Sequence, residues 1–203
     1  MTGRREYDDS GQAFPIYITV VGGLLLLALA YFAVGQAAAI RNGAQTAADA
    51  AALAAALDTR DQLADQWKLD VRDPTKWQDI FHGEAAVAPS CWRAHQLADQ
   101  NGAHAFCAPK GPLGYEVQVE TNKSVGDSVV PGTESLHATA TAKAVIRPLC
   151  TFDVPGEGAD GKALPQLVCR DRDWDLDPDD LTDLPEPQDL FDVHLADPQA
   201  GDE

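Results

Sequence analysis

The sharpest chemical spacing in this 203-residue chain is Cys91, His95, His104 and Cys107. The C-x3-H-x8-H-x2-C arrangement offers two thiolates and two imidazoles, ligand types that zinc holds tetrahedrally, although the spacing is that of no standard finger. In an oxidising compartment Cys91 and Cys107 form a disulfide more simply. Cys150 and Cys169 complete an even count of four, which in a small extracytoplasmic domain reads as two bridges. The expected pairs are Cys91 with Cys107 and Cys150 with Cys169, with no metal centre and no cofactor. A second candidate is DWDLDPDD, residues 173–180, whose alternate carboxylates are hard oxygen ligands of the calcium-binding kind. Pro178 stands where such a loop needs glycine and Leu184 where it needs a bidentate glutamate, so these acids read as a solvated segment.

Bond-making chemistry has no visible seat. The chain holds no G-x-S-x-G, no P-loop, no H-E-x-x-H and no carboxylate pair in an apolar setting, and its five histidines share no periodic face. We expect no catalytic residues and no enzyme. Nucleic-acid binding is excluded on charge, because neutralising phosphates needs clustered Lys and Arg, whereas the net charge here is −17. That charge is uneven: residues 171–203 hold 13 acids against Arg172, a balance of −12, and everything before them contributes −5.

What positions these residues is a helix expected from Ala13 to about Leu69. Residues 14–34 carry no charge and, at 1.5 Å per residue, cover roughly 30 Å of hydrocarbon, a single membrane pass. The apolar run exceeds a signal peptide's core, which favours a retained span over a cleaved leader. Beyond it small residues recur every fourth position at Gly35, Ala39, Gly43, Ala47, Ala51 and Ala55, a band on which another membrane helix can pack backbone to backbone. Leu53, Leu57, Leu63 and Trp67 share one broad apolar face on which Arg60 intrudes, and Gly43 is a candidate kink.

Downstream, Asp73 before Pro74 signals a short helix ended by Gly83, and Ser90 the cap of a second, closed by Gly102. The period-two alternation of YEVQVET from Gly114 and LHATATAKAVIR from Leu136 predicts two antiparallel strands joined by a loop. Residues 150–154 and 164–169 predict a second hairpin around PGEGADGK. From Asp171 the acids, prolines and scattered apolar residues predict a disordered acidic tail. The fold class is α+β. A single transmembrane helix extends into an Ala-rich helix, followed by a small disulfide-bonded head with helices on an antiparallel sheet of about four strands. The expected division is 1–12 as a cytoplasmic stub, 13–69 as the helix, 70–170 as the head and 171–203 as the tail.

The segment GQAFPIYITVVGGLLLLALAYFAVGQAAAIRNGAQTAADAAALAAAL, from Gly11 to Leu57, resembles the N-terminal segment of TadE/TadG-like proteins of bacterial tight-adherence (Flp) pilus systems. The resemblance implies a pilin-like shape, an extracytoplasmic head, and a role as a minor pseudopilin or membrane-anchored assembly factor. Processed prepilins of this kind carry a glutamate five residues after the cleaved glycine, and counting from Gly11 that position is Ile16. We therefore expect the junction of Gly11 and Gln12 to stay uncut. The cysteines place the head outside the cytoplasm, and Arg4 and Arg5 before the span lean the same way against Arg41 after it. The expected function is pilus assembly in a tight-adherence type secretion system, with the membrane and other pilus-assembly or pseudopilin helices as partners and self-association left open. The alternative is a membrane-anchored extracytoplasmic binding module whose acidic tail takes a cationic ligand or partner.

Overall fold

The computed structural model describes residues 13–124, 135–153 and 164–196. Helix α1 runs from Ala13 to Leu69, 57 residues and about 85 Å, without interruption at Gly43. Its two halves live in different surroundings. Over residues 14–34 the large apolar side chains, among them Leu24, Leu27, Tyr31 and Phe32, stand exposed. From Ala44 onward one face is covered: Ala44, Ala47, Ala48, Ala51, Ala52, Ala55 and Ala56 are completely buried, followed by Thr59, Leu63, Ala64 and Trp67. Alanine is the best helix former and projects only a methyl group, so this half propagates well and lets other elements approach closely.

A 3₁₀ turn, Pro74–Lys76, leads into α2, Trp77–Phe81. Asp73 does not cap this start with its side chain; its carboxylate instead accepts from the Thr75 hydroxyl at 2.5 Å. Gly83 ends the element with φ +73°, and a Cβ there would sit 2.6 Å from the Leu113 side chain, so both backbone and space demand glycine. Helix α3 follows at Cys91–Gln100, then β1 (Ala103–Pro109), β2 (Gly114–Ser124), β3 (His137–Pro148), β4 (Cys150–Thr151), β5 (Leu167–Cys169), β6 (Asp173–Trp174), α4 (Pro187–Leu190) and β7 (Phe191–Leu195). The main sheet is antiparallel in the order β1-β2-β3-β7, and β4-β5-β6 form a small second sheet. One face of the main sheet packs on α1, with α3 beside it, and the α+β class holds.

The foot of α1 is fixed by aromatic rings. Trp67 meets Trp77 at 5.5 Å between centroids, Trp77 meets Phe152 at 5.2 Å, and Phe81 touches both Phe152, at 5.6 Å, and Phe191, at 5.1 Å. Each such pair adds about 0.5–1.5 kcal/mol beyond the area it buries. Phe191 lies opposite Pro148 in the sheet, so the C-terminal end of β3 sits at the foot of α1. The other end, where Ser124 and His137 pair, therefore points back along α1 toward the apolar span.

Three expectations need correction. The sheet begins at β1, one strand before Gly114; AHAFCAP buries Ala103 and Ala105 and exposes His104 and Phe106, but alanine is a poor strand former and hid the alternation. The head does not end at residue 170, and residues 171–196 are not a disordered tail. Leu190 and Phe191 are completely buried, FDVHL forms β7 on the edge of β3, and Glu186 and Asp189 cap α4 reciprocally. The composition of 33 residues masked a five-residue strand whose partner, β3, lies more than 40 positions away. Nor is the Ala-rich half of α1 a stalk apart from the head, since it is the head's central helix. The stub, the loop between β2 and β3, the PGEGADGK turn and residues 197–203 lie outside the described residues.

Both expected disulfides are present, Cys91 with Cys107 and Cys150 with Cys169, the second joining directly opposed residues of β4 and β5. Nonreducing peptide mapping is expected to return these two links, and a Cys107–Cys150 peptide would contradict the topology. Ala51→Leu forces a larger side chain into a fully covered site. It should destabilise the head by about 1–3 kcal/mol, read as a lowered urea midpoint in tryptophan fluorescence. The Asp70 carboxyl is held below its ordinary value of 3.8 by hydrogen bonds from Lys76 and Gln66, and Lys76 is raised above 10.5 by the same contact. Stability from Asp70 is present above its unfolded pKa and is lost as pH falls through the depressed folded value; that from Lys76 is lost as pH rises through its raised value. Asp70→Asn should therefore flatten the stability profile below pH 4 and above pH 10.5, measured by unfolding across pH.

Candidate functional site

Two apolar surfaces of α1 stand out as uncovered by the described residues. The first is the apolar span of residues 14–34, exposed over nearly all of its length and long enough to cross a membrane. The second is a groove of ≈ 370 Å³ between α1 and α3, floored by Ala50, Leu53, Ala54, Leu57 and Leu97 and rimmed by Asp58, Arg60, Asp61 and Arg93. The broad apolar face expected for the lower helix thus divides: Leu63 and Trp67 turn into the core, and Leu53 and Leu57 face the groove.

The groove exists because α3 is held at a fixed distance from α1. Ala94 and Ala98 of α3 are buried against α1, so the helices meet through methyl groups. At one end a polar network locks the pair. Thr59 donates its hydroxyl to Ser90 at 2.8 Å and lies 2.7 Å from the Tyr115 hydroxyl at the start of β2. The Gln62 side-chain amide accepts from the Ala88 N–H at 2.8 Å and donates to the Ala88 carbonyl at 3.2 Å and to Ser90 at 3.1 Å. Thr59 and Ser90 are buried, so each would carry an unmet hydroxyl without these partners. The Cys91–Cys107 bridge then staples the first turn of α3 to β1.

Sequence reasoning gave Ser90 a capping role; no side-chain cap forms there, because its hydroxyl is taken by Thr59 and Gln62. Thr59, Gln62, Tyr115 and Arg93 were missed, since their spacings of 26 to 56 residues leave no local signal. Of the small-residue band, Gly35, Ala39 and Gly43 are exposed, as a helix-packing surface requires. Ala47, Ala51 and Ala55 are not available to a partner helix: they are buried within the head, because a methyl face suits a sheet as well as another helix.

The two histidines of the zinc-like spacing, His95 and His104, stack with ring centroids 6.4 Å apart, while Cys91 and Cys107 are consumed by their disulfide. Residues 173–180 turn their carboxylates largely to internal partners. Asp175 accepts from Gln166 at 2.7 Å, Asp177 from the Asp179 N–H at 2.8 Å, and Asp180 from both the hydroxyl and N–H of Thr182, which hold its carboxyl below the ordinary value. Arg172 pairs with Asp183 at 2.9 Å and lies 3.9 Å over the Trp174 ring. Gly11 and Gln12 lie outside the described residues.

One helix thus carries an exposed apolar span and, farther along, a groove with an aliphatic floor and a charged rim, features of the kind that helix packing uses. No curated protein and no solved structure matches the chain. Residues 11–58, the apolar span together with the alanine half of α1, match the family model described as "Putative Flp pilus-assembly TadE/G-like".

Proposed function

We propose that this chain is a membrane-anchored pilus-assembly protein, of the minor pseudopilin kind, in a tight-adherence type secretion system. The observation that carries the reading is the coincidence of the matched segment with α1: residues 11–58 hold the apolar span and most of the alanine face on which the head is built. A single-pass anchor and a rigid helical connection to a folded head suit a component that positions other subunits at the membrane surface. The two disulfides favour a head outside the cytoplasm, in a compartment where such bonds persist. Its work on this reading is assembly rather than catalysis, with other membrane helices of the apparatus as partners. Ile16 in place of the usual glutamate favours an anchor that keeps its first eleven residues over a subunit drawn into a filament. The binding-module alternative draws less support, because the acidic segment meant to recruit a cationic partner is folded into the head through residue 196 and spends carboxylates internally.

Deletion of the chain from its native cell should abolish or sharply reduce surface pili counted by electron microscopy. The full-length chain should restore them, and a secreted head lacking residues 1–34 should not. Normal piliation in the deletion strain would overturn the proposal.

A further inference from the structure

The groove between α1 and α3 is uncovered by the chain's own described residues, and its rim carries charges that those residues leave uncompensated. Arg60 is committed to Asp61 at 2.7 Å. Arg93 contacts Gln96 and lies over the Trp92 ring, and it has no carboxylate partner among the described residues. Asp58 accepts from Gln62 at 3.0 Å and has no cationic partner among them. Among the described residues, a cation and an anion without an ionic partner therefore stand at the rim of one apolar floor.

Their heights along α1 agree. Thr59, next to Asp58, bonds to Ser90, three residues before Arg93, so both charges lie at about the same level along the helix. Two copies anchored by the same span enter the membrane in the same direction, and a two-fold axis relating them lies along the membrane normal, bringing equal heights face to face. We propose that this groove is the interface between two copies of the chain, in which Leu53, Leu57 and Leu97 of each copy fill the other's floor and Arg93 of each meets Asp58 of the other. The contact is self-complementary in charge, as a two-fold interface requires. It runs upward along the same side of α1 through exposed Gly43, Ala39 and Gly35 to the span, where small residues permit close helix approach.

The inference rests on the span being a membrane anchor and deepens that reading by naming a partner and a surface. It is tested on the full-length chain in native membrane vesicles. All four native cysteines are in disulfides, so Leu57→Cys, at a half-exposed groove position, supplies a single free thiol. Val168→Cys, exposed on the small sheet, is the control. Treatment with a short bis-maleimide should give a dimer of the chain from the Leu57→Cys variant and not from the control. In the Leu57→Cys background, Arg93→Asp or Asp58→Arg alone should cut the cross-linked fraction roughly threefold, and the two together should restore it. Equal yields at positions 57 and 168, a product containing a different protein, or a double variant no better than the singles would overturn the interface. A chain recovered in the soluble fraction would overturn the anchoring reading with it, whereas a membrane-bound chain without the position-57 dimer would overturn this inference alone.

Discussion

Close packing of an alanine face on an antiparallel sheet is the contact on which the rest of this structure depends. From Ala44 to Ala56 the helix offers methyl groups, and β2 and β3 lie against them with α3 alongside. A larger side chain at these positions would hold the sheet away from the helix and open the space that Val117, Val119 and Ala144 fill. The interaction is non-directional, so it does not by itself fix how far down the helix the sheet sits. That is set by the aromatic contacts at the foot and by the hydroxyl network of Thr59, Ser90 and Tyr115, which place β2 and α3 at one height.

The consequence is mechanical continuity from the apolar span to the head. One helix, unbroken from Ala13 to Leu69, is the exposed apolar rod at one end and the core of a folded head at the other. Between them lie residues 35–43, about 13 Å of exposed helix. A head joined in this way inherits the orientation of its span, because the connection contains no loop. For a protein read as part of a pilus-assembly apparatus, such rigidity gives the head a defined facing relative to the bilayer. The family match ends near Asp58, within α1: the matched residues hold the span and the alanine face, while the foot of the helix, both sheets and the disulfides lie beyond them.

Charge is arranged to suit this plan. The strongly acidic C-terminal segment would resist folding if its carboxylates met only one another. Instead Arg172 pairs with Asp183 and covers Trp174, Lys68 reaches Glu186, and Thr182 and backbone N–H groups serve Asp180 and Asp177. The surface ion pairs are each worth little. Together with the buried Leu190 and Phe191 they let β7 close the sheet at its otherwise open edge.

The sequence by itself determined whatever depends on local pattern. The extent of the long helix, the two alternating strands β2 and β3, the hairpin of Cys150 and Cys169 and both disulfides were readable because each rests on periodicity or on cysteines close in the chain. Tertiary structure decided what each surface is for. The spacing of Ala47, Ala51 and Ala55 is the same whether a partner helix or the chain's own sheet covers it, and only the fold shows that the sheet does. The pattern of FDVHL is too short to outweigh the acidic residues around it until β3, distant in sequence, supplies its hydrogen bonds. The groove was invisible for the same reason: Leu57, Asp58 and Arg93 become neighbours only when the Thr59–Ser90 contact docks α3 on α1, a pairing across 31 residues that no local rule encodes.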